Sequence, residues 1–206
     1  MAFLARNSLS WVLVPAALAA ICAVLAIALD NAWYWASAAL FLVGTLFLAN
    51  FYRDPERAPG EGIVAPADGV VQLVDEQDGQ TRIVTFMNPL NVHVNRMPLS
   101  GRVVSIEHKK GGYVPAWKKE AMQNERVVWQ LETAVGPVKM VQIAGTLARR
   151  IVPYVEPGVT LEKGERYGMI RLGSRVDLYV PKGLQVAVKP GDKVAAGEST
   201  LVRLDK

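Results

Sequence analysis

Residues 155–198 read VEPGVTLEKGERYGMIRLGSRVDLYVPKGLQVAVKPGDKVAAGE, and this stretch decides the fold. Its two ends repeat one pattern. Val155 to Glu165 and Val188 to Glu198 share the form V-x-P-G-x-x-[LV]-x-x-G-E. Proline presets the backbone and glycine tolerates left-handed angles, so the shared Pro-Gly and Gly-Glu pairs set tight turns at the same offsets. Between the repeats, apolar and polar residues alternate as in a half-buried strand, through Met169, Ile170, Arg171 and Leu172 and again through Val176, Asp177, Leu178, Tyr179 and Val180. Gly173-Ser174 interrupts that alternation, and a glycine inside a strand pattern marks a bulge or a close approach to the backbone.

Working outward, the pattern stays all-β back to Pro59-Gly60. Short β-branched runs recur at residues 69–74, 81–86, 101–106, 127–131, 138–143 and 149–154, with glycine or proline turns between them. Only Pro115 to Asn124 reads as a short helix or a loop. The repeat resembles the hammerhead units of biotinyl- and lipoyl-like folds. The expected fold is therefore mainly β, a barrel-sandwich-hybrid-like domain. A carrier domain of that type would present a modifiable lysine between its repeats; here the interval holds Gly173-Ser174.

Two uncharged apolar runs fill the N-terminus, Trp11 to Leu29 and Ala32 to Tyr52. Each matches the roughly 20 residues that cross a bilayer as a helix. Asp30-Asn31 separates them, and Trp33, Tyr34 and Trp35 beside that turn fit an interfacial aromatic belt. Neither run has a polar face, and a second span directly follows the first, which argues against soluble core helices and against a cleaved leader. The expected organisation is a membrane-anchoring hairpin over residues 1–52 and a separate β domain over 53–206. Arg6 precedes the first span, and Arg53 and Arg57 follow the second, so both ends are expected on the cytoplasmic face of the inner membrane.

Composition agrees. Of 206 residues 51% are hydrophobic, with the excess concentrated before residue 52, and the net charge of +4 suits an anionic membrane face without pointing to nucleic acid. The single cysteine, Cys22, allows neither an intrachain disulfide nor a cysteine metal cluster. No histidine spacing suits a metal, and no phosphate loop or dinucleotide fingerprint occurs.

Gly164 to Pro181, GERYGMIRLGSRVDLYVP, resembles the self-cleavage region of phosphatidylserine decarboxylases, particularly their short bacterial and archaeal-type branch. Phe51-Tyr52-Arg53-Asp54-Pro55, residues 65–69 (APADG), residues 92–98 (VHVNRMP) and residues 148–152 (ARRIV) follow the same family in the expected order. The resemblance implies that Ser174 Oγ attacks the carbonyl of Gly173, turning the peptide bond into an ester. β-Elimination then breaks the chain into a β fragment, 1–173, and an α fragment, 174–206, that begins with a pyruvoyl group. That group is the implied cofactor. It condenses with the substrate amine as a Schiff base and converts phosphatidylserine to phosphatidylethanolamine and CO2. A homodimer and a membrane phospholipid substrate are implied as well.

The resemblance also assigns roles. Asp68, in Ala67-Asp68-Gly69, matches the aspartate of a serine–histidine–aspartate triad, although Asp-Gly is by itself a turn signal. Longer members carry H-x-x-H-M-P; here His93 occupies the first histidine position and Arg96 the second. A guanidinium is a poor base, so either His93 serves both self-cleavage and decarboxylation or Ser174 is activated by another route. His93 is the expected proton donor to the substrate α-carbon. Arg53, Arg57, Arg149 and Arg150 are candidates for the lipid headgroup. Met87, Leu90 and Met97 read as core, and His108 as part of a solvated charged loop. Two rivals share parts of this pattern: an uncut membrane-tethered adaptor, and a pyruvoyl decarboxylase for a soluble amino acid.

Overall fold

The computed structural model describes residues 4–146, 150–171 and 174–204. Gly173 and Arg149 therefore lie outside the described residues. The chain divides into two compact units, Met1–Glu56 and Arg57–Lys206.

In the first unit, α1 (Leu9–Leu29) and α2 (Ala32–Phe51) pack together as a hairpin. Asp30 ends α1 in a left-handed conformation, and Asn31 caps α2 by accepting the Trp33 N–H at 2.9 Å. These short polar side chains suit those positions because they tolerate or satisfy backbone that the helix itself leaves unpaired. Both helices are long and apolar enough to cross a membrane. Their large apolar side chains face outward, Ile27 at 73% and Leu40 at 71% exposure.

The second unit is built of β-structure. Its strands are β1 (Ile63–Val64), β2 (Gly69–Gln77), β3 (Gln80–Met87), β4 (Val94–Arg96), β5 (Gly101–Lys109), β6 (Arg126–Thr133) and β7 (Gly136–Ala144). They continue with β8 (Arg150–Pro153), β9 (Thr160–Leu161), β10 (Arg166–Arg171), β11 (Ser174–Pro181), β12 (Gln185–Val186), β13 (Lys193–Val194) and β14 (Thr200–Arg203). A 3-10 helix covers Lys119–Gln123, where the sequence reads as helix or loop.

The sheets reveal an internal duplication larger than the hammerhead repeat. The eight-stranded sheet runs β13-β2-β3-β11-β7-β6-β5-β9, and the two three-stranded sheets run β1-β14-β12 and β4-β10-β8. Residues 64–71 (VAPADGVV) and 96–103 (RMPLSGRV) are the matching segments. They cross-pair, Val64 N–H to the Pro98 carbonyl at 2.9 Å and Arg96 N–H to the Pro66 carbonyl at 3.0 Å. Each then meets one hammerhead in the same way: Gly191 N–H reaches the Val71 carbonyl, and Gly158 N–H reaches that of Val103, at 2.8 and 2.7 Å. Even the bulges correspond, between Val71 and Leu73 in β2 and between Val103 and Ser105 in β5.

Two glycines meet where the halves join. Gly164 and Gly197 have φ of +85° and +79°, and a Cβ on Gly197 would lie 2.9 Å from Arg96 Cδ and 3.7 Å from Gly164 Cα. Glycine is required here by both conformation and space.

β11 lies at the centre of the large sheet, paired with β3 on one side and β7 on the other. Val176, Leu178 and Val180 enter the main core, while Tyr179 joins a second cluster with Ala121, Val141 and Ile143 on the opposite face. The alternation suggests a half-buried strand, but β11 is buried on both faces. Its polar side chains are neutralised rather than solvated. Arg175 grips both oxygens of Asp177 at 2.5 and 2.6 Å, and Arg82 lies 4.0 Å from Asp177 while binding Asp75 at 2.6 and 2.9 Å. Burial pushes the Asp177 carboxyl up, against the pull of Arg175, whereas the Arg82 hydrogen bond holds Asp75 below the usual carboxylate range.

Met87 and Met97 are fully buried, but Leu90 is 65% exposed. Leu90 sits in a turn closed by Asn88 N–H to Asn91 Oδ1 and Leu90 N–H to Asn88 Oδ1, both 2.8 Å, and the turn pushes its side chain outward. His108 lies in strand β5 rather than a loop, 3.1 Å from Glu125.

Candidate active site

Ser174 is the first residue of β11, in register with Met87 of β3 and Ala144 of β7. It shares the core-facing side of the strand with Val176 and Leu178, so its side chain is fully buried. Its Oγ donates to Met87 Sδ at 3.2 Å. A thioether is a weak acceptor, so this bond leaves the hydroxyl cheap to redirect.

His93 immediately precedes β4 and is also fully buried. Its carbonyl accepts the Ile170 N–H at 3.3 Å, which fixes it beside β10, the strand that leads toward Ser174. Its Nδ1 lies 2.9 Å from the Asn91 carbonyl. A carbonyl only accepts, so Nδ1 carries the hydrogen and the neutral ring keeps its lone pair on Nε2. Asn91 thus selects the tautomer able to take up a proton at Nε2.

Asp68 is nearly buried and clamped by four bonds. Arg57 Nη1 and Nη2 donate to its two oxygens at 2.5 and 3.0 Å, Ala196 N–H donates at 2.8 Å, and Val92 N–H at 3.4 Å. Arg57 also donates to the Ala196 carbonyl at 2.9 Å and approaches Glu198 at 3.6 Å. Asp68 therefore reaches His93 through the backbone of the preceding residue. Ser174, His93 and Asp68 lie on adjoining segments, with Met87, Asn91 and Arg57 as their respective side-chain or carbonyl partners.

The arginines separate by environment. Arg57 is committed to Asp68 with its side chain only 10% exposed. Arg96 is buried as well, its Nη1 donating to the Gly164 carbonyl at 3.0 Å, so at the second histidine position stands a group that ties the join between the two halves. Arg53 belongs to the helical unit and donates to Asn50, at 2.6 Å to its carbonyl and 2.9 Å to its Oδ1. Arg150 opens β8, exposed, in register with Arg171. Among the described residues, no group of three or more His, Cys, Asp or Glu is placed to hold a metal ion.

Three pairings, Met87 with Ser174, Asn91 with His93 and Arg57 with Asp68, are not legible in the sequence. Met87 and Asn91 lie in the M-N-P-L-N-V-H stretch, where the H-x-x-x-M-P motif drew attention only downstream of His93. The Arg57–Asp68 pair spans an irregular segment with no periodicity to announce it.

Arranged this way, a shielded hydroxyl, a tautomer-fixed imidazole and a clamped carboxylate support acyl transfer followed by proton transfer. Sequence comparison points the same way. The phosphatidylserine decarboxylase family profile matches residues 45–202. A phosphatidylserine decarboxylase proenzyme of Streptomyces griseus is 49% identical over 209 residues, covering 98% of this chain and 93% of the relative. Proenzymes of the same name from Streptomyces coelicolor and Thermobifida fusca are 56% and 55% identical over 158 residues, 76% of this chain and 71% and 73% of theirs.

Proposed function

The chain belongs to the phosphatidylserine decarboxylase family, and from that premise we propose that it is a proenzyme that cuts itself before Ser174 and then decarboxylates phosphatidylserine to phosphatidylethanolamine. The single observation that carries this is the complete burial of a strand-opening Ser174 inside the family's G-S-R-V-D motif.

Chain scission uses only the chain's own atoms, and the final hydrolysis adds one water. Ser174 Oγ bonds to the Gly173 carbonyl carbon as the C–N bond breaks, and the hydroxyl proton passes to the freed amine. Loss of the Ser174 α-proton and rupture of the Cβ–Oγ bond release the Gly173 carboxylate and leave dehydroalanine, whose hydrolysis expels ammonia and leaves a pyruvoyl group at residue 174. The site fits that group: position 174 is shielded from water, and the ladder of β11 with β3 and β7 holds the new chain end in place. When formed, the group supplies the electron sink for the pair released with CO2.

The remaining work falls to side chains. His93, held by Asn91, carries the proton at Nε2 for the substrate α-carbon. Asp68 fixes the Val92 backbone and so the approach of His93. Arg149 and Arg150 are the candidates for the headgroup phosphate within the β unit, Arg53 is a headgroup candidate of the helical unit, and Arg57 acts through Asp68. Residues 1–52 anchor the enzyme in the inner membrane, with the catalytic domain, 53–206, on the cytoplasmic face, as the flanking arginines support. The enzyme forms a homodimer, as the family resemblance implies.

The test is CO2 release from phosphatidylserine labelled in the serine carboxyl, presented in mixed micelles. Wild type should release label and form phosphatidylethanolamine, Ser174→Ala should do neither, and free serine should not substitute. Cut protein that releases no CO2 from this lipid would refute the assignment.

A further inference from the structure

A buried chain of polar side chains ends at the Met87 sulfur that Ser174 Oγ also touches, and it has no part in the chemistry above. Trp129 on β6, Gln142 on β7 and Asn95 on β4 are each fully buried. Trp129 Nε1–H donates to Gln142 Oε1 at 2.8 Å, and Gln142 Nε2–H donates to Asn95 Oδ1, also at 2.8 Å. Each link dictates the next. An indole can only donate, so Gln142 turns its oxygen to Trp129; its amide must then donate, so Asn95 turns its oxygen to Gln142. The ring of Tyr167 packs edge-on to Trp129, centroids 4.9 Å apart at 77°, and limits rotation of the indole.

The chain thus fixes which end of the Asn95 amide faces away from Gln142. That end is the NH2 group, directed at Met87 Sδ 3.9 Å away, the same sulfur that holds Ser174 Oγ at 3.2 Å. A long contact to a thioether barely engages an amide donor. An oriented but weakly engaged donor beside a nucleophile is what a developing oxyanion requires, because no reorientation is needed when the charge appears.

We propose that the Asn95 amide is the hydrogen-bond donor for the oxyanion formed when Ser174 Oγ attacks the Gly173 carbonyl, with Gln142 and Trp129 as positioning residues that set its direction. This rests on the reading of Ser174 as the self-cleavage nucleophile. As the Oγ–C bond forms, the carbonyl π electrons move onto oxygen, where the Asn95 N–H stabilises them. They return as the C–N bond breaks and the amine takes the hydroxyl proton.

The experiment follows self-cleavage of newly synthesised full-length protein by intact mass, with hydroxylamine added to trap the ester. Asn95→Asp keeps the shape and the acceptor for Gln142 but replaces the donor with a carboxylate oxygen. Both ester formation and final cleavage should slow by about 10²–10³-fold, the loss typical of one oxyanion donor. Gln142→Met leaves Asn95 in place but free to turn, and should slow the same step by a smaller factor. Thermal unfolding of Asn95→Asp in a Ser174→Ala background tests the fold separately. Ester formation at the wild-type rate in folded Asn95→Asp overturns the inference, as does a variant that forms ester normally and stalls only at elimination. Should Asn95→Asp not fold, a wild-type rate in Gln142→Met overturns it instead. A wild type that never cuts removes the Ser174 reading and this inference together; a wild type and an Asn95→Asp that cut equally fast remove only this inference.

Discussion

Asp68 and Ser100 occupy equivalent corners of the two halves of the β unit: Asp68 Oδ1 accepts the Ala196 N–H at 2.8 Å, and Ser100 Oγ accepts the Lys163 N–H at 3.0 Å. The corner itself therefore needs only a short side chain with an acceptor oxygen. Asp68 is distinguished by its other two partners, Arg57 and the Val92 N–H next to His93.

Asp68→Ser should keep the corner but remove both carboxylate bonds to the Arg57 guanidinium. Breaking a buried pair from one side costs about 3–5 kcal/mol, so thermal unfolding in detergent, in a Ser174→Ala background, should fall markedly. Adding Arg57→Met should recover much of that loss. Self-cleavage should stay impaired in both proteins, because the Val92 backbone has lost its anchor. A double variant that cuts at the wild-type rate would reduce Asp68 to a structural corner.

Arg96 stands where longer relatives place a histidine, yet its contacts are those of a structural tie between the halves. Arg96→Met removes the donor to the Gly164 carbonyl, a loss of about 1–3 kcal/mol for a buried acceptor. Cleavage should proceed in the folded variant. If folded Arg96→Met stays whole, Arg96 takes part in the chemistry.

His93→Gln should lower decarboxylation by about 10²–10⁴-fold, the usual range for a positioned acid–base group. The measurement belongs on protein that has already been cut, so that maturation and turnover are not confused. Product formed in D2O adds a second readout. Wild type should place deuterium on one face of the ethanolamine carbon, and residual turnover in the variant should scramble it.

The Asp75–Arg82 pair predicts a pH dependence of stability. The folded Asp75 carboxyl lies below its ordinary value of 3.8, lowered chiefly by the Arg82 hydrogen bond. The folded state thus binds that proton less readily than the unfolded chain. The stabilisation is present above the ordinary value and is lost as pH falls through the folded value. Unfolding curves of wild type and Asp75→Asn should therefore differ near neutrality and converge in acid. A difference that grows on acidification would contradict the pairing.

Much of this architecture was written locally. The turns at Pro157-Gly158 and Pro190-Gly191, the alternation along residues 176–180 and the Asp30-Asn31 break each depend on neighbours in sequence, and each reappears as structure. The larger duplication was obscured because residues 64–71 and 96–103 share no residue beyond Pro66/Pro98, Gly69/Gly101 and Val71/Val103. What matches between them is backbone hydrogen bonding, which leaves little trace in composition. The partners around Ser174 were hidden for a related reason. Met87 and Asn95 lie on successive strands, but Gln142 joins them from a strand 47 residues beyond Asn95, and a buried polar network is specified by register rather than by any motif. Asp177 misleads in the opposite direction, since a carboxylate neutralised by a buried arginine has the same residue pattern as a solvated face.

Formation of the reactive group at residue 174 by the chain itself can be read from the intact mass of purified wild type. Two polypeptides are expected, residues 1–173 and 174–206, the smaller blocked at its N-terminus and lighter by one ammonia than its encoded sequence, with Ser174→Ala remaining a single chain. Wild type that decarboxylates phosphatidylserine as one uncut chain, or a smaller fragment that begins with unmodified serine, would contradict it.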